Sequence, residues 1–178
     1  TEPASEYAAY LKAFSLGIKS GNGNAQVVRT SLAHESPLFA ERLAENGTAA
    51  YYDVFSFHSA EAPNTFRKRI AGYKKPREKA EAQDKPVWLT EARFATSDGV
   101  EQAKAAIKSY VESRRAGVAR HFYYSLADPM FGVLDRELLP LPAYASLATV
   151  ANFLGNASYK GEIRYRQPGL HIHVFDDG

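Results

Sequence analysis

The chain has 178 residues, with 22 Lys and Arg against 20 Asp and Glu, a formal charge of +2 when the histidines are neutral. That balance lacks the concentrated cationic excess that a nucleic acid or an anionic membrane surface selects, so neither is expected as a partner. A composition that is 45% hydrophobic and 24% charged fits a globular protein; cysteine is absent, which excludes disulfides, thiol nucleophiles and thiolate-bound metals.

Tyr7, Leu11, Phe14 and Ile18 recur at helical spacing and predict a helix with this stripe inward, ending at Gly21 in the turn-rich Gly21-Asn22-Gly23-Asn24. The run Ala25 to Ala33 predicts a buried strand. Ser36 then reads as an N-cap with Pro37 at the first helical position, opening a helix that carries Leu38, Phe39 and Leu43 and stops at Gly47. A second strand, Tyr51 to His58, leads into a helix from about Pro63 to Ala82, basic on its outer face and interrupted at Pro76. A third, Pro86 to Glu91, is followed by a helix from Ser97 to about Arg115, with Val100, Ala103, Ile107 and Tyr110 inward and Gly117 past its end. A fourth, Ala119 to Leu126, leads through a loop to a helix from about Leu141 to Leu154. After Gly155 the stretches Tyr159 to Arg166 and Leu170 to Phe175, separated by Gln167-Pro168-Gly169, read as an antiparallel hairpin.

Strand starts near 25, 51, 86 and 119 give a period of roughly 30 residues, one strand plus one crossover helix, so the strands are expected to be parallel. No glycine-rich phosphate loop follows any of them, which favours a closed α/β barrel over a nucleotide-binding open sheet. Such an eight-unit (β/α)8 barrel needs roughly 250 residues. The chain therefore reads as the C-terminal half of a TIM barrel over residues 1–155, with the first strands of an antiparallel β-domain over 156–178, cut from a longer chain at both ends. Thr1 is no initiator, so any targeting segment lies outside the sequence and composition leaves the compartment unread.

Active sites of parallel α/β folds lie at the carboxyl ends of the strands, which directs attention to the polar residues there. Strict alternation places Val87, Leu89 and Glu91 on one face of the third strand, with Trp88 and Thr90 on the other. Glu91 then closes an apolar face, an expensive place for a carboxylate unless it is bonded or used. The plain structural role for it is pairing with Arg93 or capping the next helix. Val54, Ser56 and His58 share a face of the second strand, bringing His58 to the rim beside Glu91. Tyr123 on the fourth strand, on a face with His121 and Ser125, is expected near the same rim; Asp128 follows in the loop, and Arg29 and Ser31 of the first strand are expected to point inward.

The segments DVFSFHS (Asp53 to Ser59), KPVWLTEAR (Lys85 to Arg93), HFYYSLAD (His121 to Asp128) and FGVLDRELLPLPAYASLATVANFLG (Phe131 to Gly155) resemble, in order and spacing, strands six to eight and the last helix of clan A glycoside hydrolases, family 39 relatives in particular. The resemblance implies a retaining glycosidase acting on a β-linked carbohydrate with no metal or other cofactor, secreted or periplasmic as such enzymes commonly are, its remaining strands supplied by preceding sequence. It implies that Glu91, in Trp88-Leu89-Thr90-Glu91, is the nucleophile. It also implies that Glu2, in Thr1-Glu2-Pro3 ahead of Tyr7-Ala8-Ala9-Tyr10-Leu11, is the general acid/base, and that His58, Tyr123, Asp128 and Arg29 contact substrate. The pattern departs at Thr1, where the clan has an asparagine, at Ala60, where it has a tyrosine, and at Tyr123, where it has a tryptophan. In a retaining mechanism the two carboxyl groups stand about 5 Å apart.

The departures favour one alternative, a barrel that keeps a sugar cleft but has lost catalysis; the retained Glu91 and Glu2 favour the enzyme. His171 and His173, alternating on one strand, and His34 beside Glu35 are too few for a metal centre. The basic run from Arg67 to Lys79 is interrupted by Glu78 and reads as a solvated helix face.

Overall fold

The computed structural model describes residues 3–29, 31, 36–128 and 130–178. The first helix, α1 (Pro3–Gly21), forms as expected but is rotated. Ala4, Ala8, Leu11 and Ser15 are its buried residues, while Phe14 and Ile18 are exposed. Ala4 and Ala8 pack on Leu43 of α2 (Pro37–Glu45), and Tyr7 meets Phe39 edge-on at 6.1 Å. Small side chains allow the two helices to approach closely, and this close contact, which a pattern of large residues does not report, selects the buried stripe. The Ser36 hydroxyl accepts from the Phe39 N–H at 3.2 Å, the predicted N-cap.

Between these helices, Val28 bridges Val54 in parallel and the Arg29 N–H donates to the Val54 carbonyl at 3.0 Å. The strand expected over 25–33 is thus reduced, among the described residues, to this bridge, with 25–27 irregular; residues 30, 32 and 33, and His34 and Glu35 after them, lie outside the described residues. The second strand is shorter than expected: Ala49–Tyr51 is a 3-10 turn and β1 spans Phe55–Ser59. The following helix breaks at Tyr73, into α3 (Phe66–Gly72) and α4 (Lys74–Lys79), three residues ahead of Pro76. Proline has no N–H for the carbonyl four residues back and its ring crowds that carbonyl, so the helix is interrupted upstream, and Pro76 sits buried in the first turn of α4.

β2 (Val87–Ala92) precedes α5 (Gly99–Arg115), which Asp98 caps through hydrogen bonds from Val100 N and Glu101 N. α5 turns Gln102, Ala105, Ala106, Ser109 and Ser113 inward, not Val100 and Ile107, which are exposed. Gly117, at φ +82°, adopts a backbone conformation that other residues rarely take and feeds the chain into β3 (Val118–Tyr123). α6 (Pro142–Leu154) packs on α5, and β4 (Ser158–Ile163) pairs antiparallel with β5 (Ile172–Asp176), the expected hairpin. Arg115 holds that hairpin to α5 through Glu162 at 2.6 Å.

β1, β2 and β3 form one parallel sheet in chain order. One face carries Phe55, Phe57, Val87, Leu89, Ala92 and Val118, which join Ala40, Phe66 and Tyr73 of the helical layer in the main core. Among the described residues no helix is long and apolar enough to cross a membrane.

Candidate active site

The position of each polar side chain follows from two departures from strict alternation. Phe57 pairs with Leu89 but His58 pairs with Glu91, so β2 carries one residue more than β1 at this point. Against β3 the same excess recurs, since Leu89 pairs with His121 and Ala92 with Tyr123. The extra residue is a bulge at Thr90. It turns Glu91 away from the face of Val87 and Leu89, which alternation had given it, onto the face of Ser56, His58 and Trp88, opposite the helices.

Its surroundings there are specific. His58 Nδ1 lies 3.3 Å from Glu91 Oε2, and Arg93 Nη1 lies 3.7 Å from Oε1, so each carboxylate oxygen faces a different side-chain nitrogen. Both His58 and Glu91 keep about a quarter of their side-chain surface open, at 26% and 25%. Beneath them the Ser31 hydroxyl donates to Ser56 Oγ at 2.7 Å and lies 2.9 Å from Thr90 Oγ1, a chain of hydroxyls tying three successive strand segments together. Thr90 Oγ1 also reaches the Phe57 carbonyl at 3.3 Å, which seats the bulge.

The second departure lies in β3. Val87 pairs with Val118 but Trp88 pairs with Arg120, so Ala119 is the extra residue and the faces downstream are exchanged. Arg120 stacks on Trp88 at 4.8 Å and Phe122 meets the same ring at 5.6 Å, on the face of Glu91. His121 and Tyr123 therefore face α5. His121 Nε2 lies 2.9 Å from Ser109 Oγ, and burial lowers its pKa from 6.5 to about 4, so the imidazole is neutral. Burial raises the pKa of the Tyr123 phenol. The nearby Gln102 amide moderates that rise, yet donates to the Gly132 carbonyl at 3.2 Å and makes no hydrogen bond to the phenol.

Tyr123 thus faces α5, contrary to the sequence-based expectation that it lies at the rim beside Glu91; its neighbour Tyr124 lies beside Arg93 instead. The Tyr124 N–H donates to the Ala92 carbonyl at 2.8 Å, and its ring lies 5.9 Å from the Arg93 guanidinium and 5.9 Å from the Phe131 ring. The peptide bond from Tyr124 to Ser125 is cis. Asp128 is placed near this group, but its Oδ1 accepts from Met130 N at 2.8 Å and Phe131 N at 2.9 Å, so that oxygen shapes the loop. Arg29 is elsewhere. Its guanidinium stacks on Phe55 at 4.2 Å and donates to the Ser56 carbonyl at 3.3 Å, beside Ala40, Leu43 and Arg77 in the layer between sheet and helices. The expectation of substrate contact for Arg29 and Tyr123 assumed unbroken alternation and an inward-facing first strand.

Glu2 and Thr1 lie outside the described residues. Of the sequence-based candidates the structure brings together His58 and Glu91, with Asp128 on the adjoining loop, and it adds Arg93, Tyr124 and Phe131. The signal for Tyr124 was present in the aromatic run Phe122-Tyr123-Tyr124, but its phase depends on the bulge at Ala119. Among the described residues no group of three or more His, Asp or Glu side chains is arranged to hold a metal.

A parallel sheet with helices on one face and polar residues at its carboxyl edge defines the class as a β/α-barrel architecture, and solved structures bear this out. The chain aligns over 96% of its length with a family 39 glycoside hydrolase from Bacteroides cellulosilyticus WH2, at a TM-score of 0.75 and 22% identity, covering 41% of that chain. It aligns over 98% with a GH51 α-L-arabinofuranosidase from Thermotoga petrophila RKU-1, TM-score 0.69 and 16% identity, covering 43% of it. A GH39 β-xylosidase from Caulobacter crescentus gives 0.58 and 18% identity, with 96% of this chain and 39% of that one covered. No protein-family model and no curated protein matches the chain. The fold is that of clan A TIM-barrel glycoside hydrolases, of which the chain spans about two-fifths of the length of these three structures, 39–43%.

Proposed function

We propose that the protein is a retaining glycoside hydrolase acting on a β-linked oligo- or polysaccharide, with residues 1–155 forming part of its barrel and 156–178 beginning a β-domain. The observation that carries this reading is the His58–Glu91 pair at 3.3 Å, at the carboxyl ends of adjacent parallel strands in a glycoside-hydrolase fold.

Glu91 is the nucleophile. Ionised, it attacks the anomeric carbon while the acid/base carboxyl, assigned to Glu2 on the sequence pattern, protonates the leaving oxygen. The same group then takes a proton from the water that opens the glycosyl ester. His58 orients Glu91 through Oε2. Tyr124 and Phe131 offer aromatic faces on which a pyranose ring stacks. Asp128 serves the cleft by shaping the loop that carries Phe131.

The test is product chemistry on aryl β-glycosides. Glu91→Ala is expected to lose turnover by about a thousandfold or more, as when a covalent nucleophile is removed, and to recover in azide as a glycosyl azide of inverted configuration. Glu2→Ala is expected to give the azide with configuration retained, because azide then replaces water in the second step. Binding of β-glycans by the wild-type protein with no turnover on any of them selects the non-catalytic barrel instead.

A further inference from the structure

Arg93 is not accounted for by orientation of Glu91 alone. Its N–H donates to the Ser59 carbonyl at 3.2 Å, fixing the backbone just beyond β2. Its guanidinium lies 5.4 Å from the Phe131 ring and 5.9 Å from Tyr124, with the two rings 5.9 Å apart, so two aromatic groups flank the cation. Both rings belong to the segment after β3, which folds back through Ser125 N to Phe131 O at 3.2 Å and Val133 N to Ser125 O at 3.1 Å. One charge is thereby held at 3.7 Å from Oε1, the oxygen that His58 leaves free.

We propose that Arg93 is a positioning residue that acts chiefly on the second half of the reaction. The inference rests on the reading of Glu91 as nucleophile. In the first step the Glu91 carboxylate loses charge as Oε1 bonds to the anomeric carbon, so a fixed cation favours the starting state. In the second step water's oxygen bonds to that carbon, the carbon–Oε1 bond breaks, and its electron pair returns to Glu91. Water's proton passes to the acid/base carboxylate. Charge now develops beside Arg93, and a preorganised cation stabilises the transition state more than the neutral ester.

The experiment uses a 2,4-dinitrophenyl β-glycoside of the sugar that the wild-type protein turns over, whose good leaving group makes the second step limiting. Arg93→Met is expected to lower kcat by about tenfold and KM by at least as much, with kcat/KM unchanged or raised and the glycosyl-enzyme adduct accumulating in intact-protein mass spectra. Arg93→Lys keeps a cation and is expected to regain most of kcat, a recovery that tells charge from packing. A rise in KM at constant kcat, a fall in kcat/KM as large as that in kcat, or wild-type constants in Arg93→Met overturns the inference. Glu91→Gln separates the failures. If it is inactive while Arg93→Met behaves as wild type, only the role of Arg93 falls; if it retains wild-type turnover, the reading of Glu91 falls and takes this inference with it.

Discussion

Neutral His121, partly buried between β3 and α5, makes the protein's stability depend on pH in a window that a single substitution isolates. Burial lowers its pKa from 6.5 to about 4, against Ser109 and the edge of the Tyr110 ring at 6.0 Å. The unfolded chain takes up a proton near pH 6.5 and the folded chain only near 4. Between those values the unfolded state binds more protons, so stability falls as acid is added and levels off below the folded value. The full difference of 2.5 pH units, 6.5 less 4, corresponds to about 3 kcal/mol, of which about 2 kcal/mol is lost between pH 7.5 and 5.0. Urea unfolding followed by the fluorescence of Trp88, the sole tryptophan, measures this at both pH values. Other titrating groups contribute to the raw change, so the quantity of interest is the contrast with His121→Gln, which keeps a polar group for Ser109 but does not titrate. That variant is expected to lose about 2 kcal/mol less than wild type on going to pH 5.0. Equal losses in the two proteins would show that His121 is not held neutral by its surroundings, and the assignment of its face of β3 would fail with it.

Gly132→Ala is expected to lower the melting temperature sharply. A Cβ there would sit 2.6 Å from the Asp128 carbonyl oxygen and 2.7 Å from that of Leu134, both backbone atoms that cannot swing away. The loop must shift, at a cost of at least about 1–3 kcal/mol by the usual range for overpacking, which thermal denaturation measures. Tyr123→Phe removes a buried hydroxyl that has no hydrogen-bond partner among the described residues. Stability is expected to stay within about 1 kcal/mol of wild type or to rise, and aryl glycoside turnover to remain intact, whereas Tyr124→Ala is expected to raise KM. A loss of turnover in Tyr123→Phe would return that residue to the cleft.

The succession of strands and helices was legible because loops, caps and proline act locally: Ser36-Pro37, Gly117 and Gln167-Pro168-Gly169 each mark the boundary that the structure shows. Helix orientation was less legible. Both α1 and α5 turn small or polar residues inward, Ala4 and Ala8 in one and Gln102 and Ser109 in the other, because close approach and specific hydrogen bonds outweigh side-chain hydrophobicity there. Of the candidate site, the meeting of His58 with Glu91 was readable from strand position, since both lie at the same end of neighbouring strands. The faces of Glu91 and Tyr123 were not readable. Each lies downstream of one supernumerary residue, Thr90 or Ala119, and a period of two carries no mark of where it has been interrupted.

The added residue at Thr90 also divides β2 into two stretches under separate demands. Up to Leu89 the strand answers to the helices packed behind it, and exchanging one aliphatic side chain for another there alters fit without rotating anything further on. Past that point the chain answers to whatever occupies the opposite side, and Ala92 alone reverts to the inner packing. Drawing the threonine into the regular ladder would merge the two stretches and drive a carboxylate into oil, whereas deleting it would leave the acid on the side it now faces.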